Sequence, residues 1–226
     1  MPLRFTKQDH DRVAASIARA ENGTSGEIYA VFARASADVT PISYAVAMAL
    51  CILSGFLAAV LSALAGHAVA AVDLAFGQIV GACLLLALLR FVPRLRRLFV
   101  PGFLARMAAA RVAREQFLAH NLHSTAGRTG VLLFLSEAEH YAEVIADDGI
   151  AARVPPEAWT DIVDTLIRAG RDDSLAEGFV EAIAAAGALL AQHFPQDDAG
   201  LNEIPDRLVE ILKSPEAFAG AHGIGD

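Results

Sequence analysis

The chain has 226 residues, 55% of them hydrophobic and 19% charged, with a formal net charge of −8. Its charge is segregated: residues 90–114 hold seven arginines and no acid, whereas residues 115–226 hold six basic and twenty acidic side chains. A uniformly acidic soluble protein has no reason for such an arrangement. Cys51 and Cys83 lie in one apolar stretch, which excludes a secreted disulfide framework, and no zinc-ligand spacing is present.

The first forty residues predict a helix followed by a strand. Residues 3–21 are amphipathic, with Thr6 in the N-cap position. Turn-forming residues at 21–26 separate this helix from the apolar run Glu27–Ala33. Because that run has few polar breaks, we expect a strand that is buried on both faces.

Two apolar segments predict a transmembrane helical hairpin over residues 42–89. Ile42–Gly66 and Val69–Leu89 each supply about the 20 residues that a helix needs to cross the hydrocarbon core. His67 and Asp73 are the only Asp, Glu, His, Lys or Arg side chains from Ile42 to Leu89. The alternative is a helical hairpin buried in a soluble protein, but the rest of the chain is too short to surround two fully apolar helices.

The distribution of arginines predicts the orientation of this hairpin. Arg90, Arg94, Arg96 and Arg97 follow the second span directly, whereas the turn around His67 carries no Lys or Arg. The positive-inside rule therefore places both termini in the cytoplasm. We expect a two-pass protein of a bacterial-type inner membrane, with the lipid bilayer as its first partner.

A basic interfacial helix and a core helix are predicted over residues 90–122. Arginines and apolar residues alternate here next to a membrane span, which suits anionic lipid. Nucleic-acid binding is the competing interpretation, but polar residues that could read bases are lacking, so we expect no nucleic-acid partner. The helix should continue to Asn121, with Val112, Phe117 and Leu118 facing the core.

The C-terminal half predicts a β-hairpin and then helices. Gly130–Ser136 and Tyr141–Ala146 are strands around a short turn. Since Glu27–Ala33 has no local partner, we expect it to pair with residues 130–136, which makes the transmembrane hairpin an insertion into one α/β domain. Helices are expected at three places: residues 156–169, 175–194 and 203–212, the last capped by Asn202.

Adjacent carboxylates at the end of the second strand of this hairpin suggest a cation site. Asp147 and Asp148 precede Gly149, and a hard cation such as Ca²⁺ or Mg²⁺ would relieve their repulsion. Glu203 and Asp206 are the expected further ligands, ahead of Asp161 and Asp164. The alternative is a solvated acidic turn. His120 and His123 are read as surface residues, and Ser136 lacks recognisable catalytic partners.

Several segments resemble the TPM domain, a family with thylakoid-lumen, photosystem II and acetylcholine-receptor-associated members. They are Thr129–Ser136, Glu143–Ile150, Trp159, Glu177–Ile183 and His193–Pro195. The resemblance covers about residues 124–213, with residues 5–35 as the first helix and strand. It implies an α/β sandwich, a divalent-cation site of acidic loop residues and the label of phosphatase.

These observations predict five regions. They are the first helix and strand (1–41), the transmembrane hairpin (42–89), the basic interfacial helix and core helix (90–122), the rest of the TPM-like α/β domain (123–213) and a flexible tail (214–226). The expected fold is α/β, a small mixed sheet packed with helices. The expected function is a membrane-tethered accessory or interaction module with a calcium or magnesium site and an unidentified membrane-protein partner. The alternative is a metal-dependent phosphatase that hydrolyses phosphoric monoesters.

Overall fold

A computed structural model describes residues 4–36, 40–66, 70–92, 95, 97–125, 127–196 and 204–211. The chain forms two compact units. One unit combines two separate segments, Met1–Ala37 and Arg106–Asp226, and the other is continuous from Asp38 to Ala105. The predicted tail at 214–226 lies outside the described residues.

The described residues form seven α-helices and a four-stranded mixed sheet, which confirms the predicted α/β class. The elements in chain order are α1 (Lys7–Glu21), β1 (Glu27–Ala33), α2 (Thr40–Leu64), α3 (Ala71–Phe91), a 3₁₀ turn (Arg97–Phe99), α4 (Gly102–Ala119), a second 3₁₀ turn (Leu122–Ser124), β2 (Gly130–Ser136), β3 (Tyr141–Ala146), α5 (Asp148–Ala151), a third 3₁₀ turn (Pro156–Trp159), α6 (Thr160–Asp172), α7 (Leu175–His193) and β4 (Leu208–Ile211).

The sheet belongs to the discontinuous unit and has the order β3-β2-β1-β4. β1 and β2 are parallel and run in register from Glu27 opposite Gly130 to Ala33 opposite Ser136. This confirms the predicted pairing of residues 27–33 with residues 130–136. β3 returns antiparallel to β2, as the predicted hairpin requires.

Both faces of the sheet are covered. On one face, Ile28, Ala30 and Phe32 of β1 pack in a core with α1, α6 and α7. On the other face, Tyr29 and Val31 pack in a second core with α4. All seven residues of β1 are buried, as its apolar run predicted, because neighbouring strands and helices enclose it on every side.

The continuous unit contains α2 and α3, which begin and end within two residues of the predicted spans. They expose large apolar side chains such as Leu64 and Phe76. The two helices pack against each other where Gln78 Nε2 donates to the backbone oxygen of Cys51 (3.4 Å). Gly55 makes room for this contact, because a Cβ there would lie 2.5 Å from Gln78 Oε1.

Two sequence predictions about the soluble elements are wrong. Residues 203–212 were expected to form a helix, but Leu208–Ile211 is strand β4, parallel to the end of β1. The edge of β1 offers this segment backbone hydrogen bonds, which outweigh the local helix signal. Leu118 was expected in the core but is 58% exposed, whereas Val112 and Phe117 are buried. Asn202, the expected cap, lies outside the described residues.

Candidate functional site

Asp147 and Asp148 lie together directly after β3, where the sequence placed them. The Asp148 N–H donates to Asp147 Oδ1 (2.7 Å), so Asp147 caps the short helix α5. Asp147 is buried, and its second oxygen, Oδ2, has no hydrogen-bond partner. Asp148 is exposed to solvent. Asp147 is therefore a buried helix cap with one carboxylate oxygen that makes no hydrogen bond, and Asp148 is a surface carboxylate.

A guanidinium group already lies between these two carboxylates. Arg128 Nη2 is 2.9 Å from Asp148 Oδ2 and 3.5 Å from Asp147 Oδ1. The turn that carries Arg128 presses against α5, because a Cβ on Gly149 would come within 2.5 Å of the Arg128 backbone oxygen. Glycine is thus required for close approach of two backbone segments, rather than for the conformation of a ligand loop.

The other two predicted ligands are not placed beside this pair. Glu203 lies outside the described residues, and Asp206 interacts with Glu21 at the end of α1. No group of three or more His, Cys, Asp or Glu side chains that could hold a metal ion occurs among the described residues. Two carboxylates offer fewer oxygens than the roughly 6–8 that Ca²⁺ takes.

Glu21 is a half-buried acid that the sequence did not single out. Its Oε1 accepts the Ile28 N–H (2.7 Å), while its Oε2 is buried and makes no hydrogen bond. Burial raises the pKa of Glu21 to about 9, and the neighbouring carboxylates of Glu27 and Asp206 add to the rise. The side chain is therefore protonated at neutral pH.

A small polar cavity of about 200 Å³ lies beside β1, lined by Tyr29, by residues that follow α4 and by residues of the segment before β4. Tyr29 Oη lies 3.1 Å from His120 Nδ1, and the two rings are tilted with centroids 4.5 Å apart. Asn121, Ser124, Thr125 and Arg207 complete its polar lining. Burial lowers the pKa of His120, and the charge of Arg207 lowers it further, so this imidazole is neutral at pH 7.

Ser136, Arg153 and His120 have structural partners. The buried Ser136 accepts a hydrogen bond from the Ser36 hydroxyl (2.6 Å) and donates to Glu139, which joins the end of β1 to the β2–β3 turn. Arg153 donates to the His193 backbone oxygen (3.3 Å) and stacks on Phe194. His120, expected at the surface, instead forms part of the cavity wall, and its link to Tyr29 spans 91 residues of sequence.

Part of the chain is similar to a known protein family. Residues 97–189 match the family model of the TPM domain. The fold resembles the NMR structure of BA42 protein from the psychrophilic bacterium Bizionia argentinensis, with a TM-score of 0.55 over 91% of this chain and 94% of that chain. The two sequences are 16% identical, so this likeness concerns the fold alone. No curated protein matches the chain. The segment from the first 3₁₀ turn into α7 is therefore similar to the TPM domain, in agreement with the resemblance seen in the sequence there.

Proposed function

We propose that this protein is a membrane-tethered TPM-like module that acts as an accessory or interaction protein, held by α2 and α3 as a two-pass hairpin. Three helices among the described residues, α2, α3 and α7, are long and apolar enough to cross a membrane. At about 1.5 Å per residue, α2 and α3 extend roughly 37 and 32 Å, against a hydrocarbon core of about 30 Å.

The observation that carries the proposal is the pairing of β1 with β2 and β4. β1 precedes the apolar helices in the chain, whereas β2 and β4 follow them, yet all three belong to one sheet. A sheet cannot be divided by a bilayer, because its strands share backbone hydrogen bonds. The chain between β1 and β2 must therefore cross the membrane an even number of times, and α2 and α3 provide two crossings.

The same reasoning argues against α7 as a span. α7 separates β2 from β4, so a single crossing there would put two strands of one sheet on opposite sides. Half of the most apolar stretch of α7 is buried, whereas only 6% of the corresponding stretches of α2 and α3 is buried. α7 owes its apolar composition to the core that it forms with α1, α6 and the sheet. Two crossings are thus favoured over three.

Cysteine labelling of the full-length protein in sealed membrane vesicles tests this topology. In a Cys51→Ala, Cys83→Ala background, we would introduce Lys7→Cys and Arg171→Cys, two exposed positions on either side of the hairpin. We would also introduce His67→Cys, which lies between the two apolar helices in the sequence. The first two should react from the cytoplasmic side with an impermeant maleimide, because the Arg cluster after α3 favours that side. His67→Cys should react only from the opposite side.

Two results would contradict the proposal in different ways. Opposite sidedness of positions 7 and 171 would overturn the even number of crossings. The same sidedness for all three positions would mean that the hairpin does not span the membrane. If positions 7 and 171 react only from the outer side and position 67 only from the cytoplasmic side, the hairpin is retained. Only the cytoplasmic orientation is then overturned.

Divalent-cation binding at Asp147 and Asp148 is a second proposal, favoured by the buried Asp147 Oδ2 that lacks a partner. The described residues alone do not complete the oxygen ligands of Ca²⁺ or Mg²⁺. Arg128 would therefore have to move away from the two carboxylates, and Glu203 would have to become a further ligand. Calorimetry with Ca²⁺ and Mg²⁺ should show heat that Asp147→Asn with Asp148→Asn abolishes. Arg128→Gln should strengthen binding, since it removes the competing charge. Equal heat from wild type and the double variant would refute the site.

The metal-dependent phosphatase remains the alternative function. It would use the same two carboxylates to hold the ion, with the ion supplying Lewis-acid activation of water. Hydrolysis of a generic phosphate ester by the purified full chain, with and without Mg²⁺, distinguishes it from the accessory module. Activity that survives the double Asp variant would show that the reaction does not depend on this pair.

A further inference from the structure

The cavity beside Tyr29 has a lining that differs from the rest of the molecule. Residues 115–226 carry six basic and twenty acidic side chains, yet none of the described residues around this cavity is acidic. Arg207 supplies a positive charge there, hydrogen-bonds to Tyr29 and forms no ion pair with any described carboxylate, and its side chain is exposed. Asp206, its neighbour in sequence, interacts with Glu21 instead.

The hydrogen bonds of His120 fix its role at the cavity wall. His120 Nε2 lies 3.2 Å from Gln116 Oε1, an acceptor, so we assign the ring proton to Nε2. Nδ1 must then accept the Tyr29 hydroxyl hydrogen. The Tyr29–His120–Gln116 chain is satisfied without any ligand, and it holds the Tyr29 oxygen at a defined position in the cavity.

Two hydroxyls in the lining can donate hydrogen bonds. Thr125 Oγ1 accepts the Thr129 N–H (3.0 Å), which leaves the Thr125 hydroxyl hydrogen available. Ser124 adds a second hydroxyl, exposed at the cavity mouth. With the guanidinium of Arg207, the lining therefore offers several donors, one of them charged, and no carboxylate.

We infer that this cavity binds a small free oxyanion, of phosphate or carboxylate chemistry, through Arg207 and the hydroxyls of Ser124 and Thr125. Its volume of about 200 Å³ is below the roughly 300–1,000 Å³ of sites for drug-sized ligands, which limits the ligand to a small molecule. Charge-assisted hydrogen bonds from a guanidinium suit phosphate and carboxylate oxygens. The site is separate from the Asp147–Asp148 pair and does not depend on the membrane proposal.

Titration of the full chain in detergent with inorganic phosphate, and separately with acetate, tests the inference. Binding is followed by NMR of ¹⁵N-labelled histidine side chains, with the His120 signals assigned from a His120→Gln sample. At least one of the two anions should shift the His120 signals in a saturable manner, while those of His10 on α1 stay unchanged. The anion that binds identifies the oxyanion class.

Matched variants separate the cavity from general charge effects. Arg207→Gln should weaken binding about tenfold or more, because it removes the charged donor. Arg171→Gln makes the same charge change at an exposed position on α6 and should leave binding unchanged. Tyr29→Phe keeps the ring against His120 and should weaken binding less than Arg207→Gln does. Absence of saturable shifts with both anions, or equal weakening by Arg207→Gln and Arg171→Gln, would overturn the inference.

Discussion

Glu21 should make the stability of the α/β unit fall as the pH rises through neutrality. The ordinary pKa of a glutamate, 4.5, applies to the unfolded chain, whereas burial raises the pKa of Glu21 to about 9 in the folded state. Between these values the folded protein binds a proton at Glu21 that the unfolded chain does not. Folding stability therefore decreases with pH across this window and levels off above pH 9.

The size of the effect follows from the same two values. One proton difference costs about 1.4 kcal/mol per pH unit, so wild type should lose on the order of 2–3 kcal/mol from this residue between pH 6 and pH 8. Glu21→Gln keeps an oxygen to accept the Ile28 N–H and cannot ionise. Its amide can donate toward Glu27 and Asp206, so the variant should be the more stable protein at pH 8.

Urea unfolding of the full chain in detergent at pH 6, 7 and 8 measures this difference. Trp159 is the only tryptophan and is buried in the core of the α/β unit, so its fluorescence reports on that unit. Glu181→Gln, an exposed position on α7, controls for the loss of one charge and should follow wild type. If wild type and Glu21→Gln lose stability in parallel over this range, Glu21 is not protonated in the folded state and the reasoning fails.

Three further predictions concern packing. Gly149→Ala should destabilise the α/β unit by about 1–3 kcal/mol in the same urea assay, because its Cβ would lie 2.5 Å from the Arg128 backbone oxygen; Gly23→Ala, with 3.8 Å to its nearest atom, should cost far less. Comparable losses would contradict the close approach. Thr6→Ala should cost about 1 kcal/mol by removing the capping box that Thr6 forms with Asp9, and an unchanged midpoint would show that the cap is dispensable. In a Cys83→Ala background, Gln78→Cys should form a disulfide with Cys51 on mild oxidation, whereas Ile79→Cys, at an exposed position, should not; similar yields would argue against this packing of α2 on α3.

Local sequence patterns were sufficient to predict most elements of the sheet. The apolar run Glu27–Ala33 and the alternation in Tyr141–Ala146 each identified a strand, because an enclosed strand and a half-covered strand have different periodicities. β4 was missed because Leu208–Ile211 is only four residues long and its apolar residues also fit a helix. Its strand conformation depends on the edge of β1, which lies far away in the sequence.

The candidate sites were less predictable because their groups come from distant segments. Asp147 was predicted as a cation ligand, but its role as a helix cap depends on the short helix that follows. The sequence does indicate that Tyr29 is unusual, because its hydroxyl falls within the apolar interior of β1. A tyrosine hydroxyl generally requires a hydrogen-bond partner when it is buried. Nothing local identifies that partner as His120, since helix α4 must first pack on the sheet to bring it there.

Composition alone also could not distinguish a core helix from a membrane span, and the glycines show why. On α7, a Cβ at Gly178 would lie 2.1 Å from the Ala169 side chain, and one at Gly187 would lie 2.6 Å from that of Ala20. These glycines allow α6 and α1 to approach α7 closely, so the helix is apolar because protein surrounds it. On α3, Gly77 and Gly81 have no atom within 4 Å of an added Cβ, apart from their own helix and chain neighbours. The apolar surface of α3 is thus not accounted for by packing among the described residues. A bilayer around α2 and α3 would cover it, and the shared sheet of β1, β2 and β4 requires that such a bilayer be crossed an even number of times between β1 and β2.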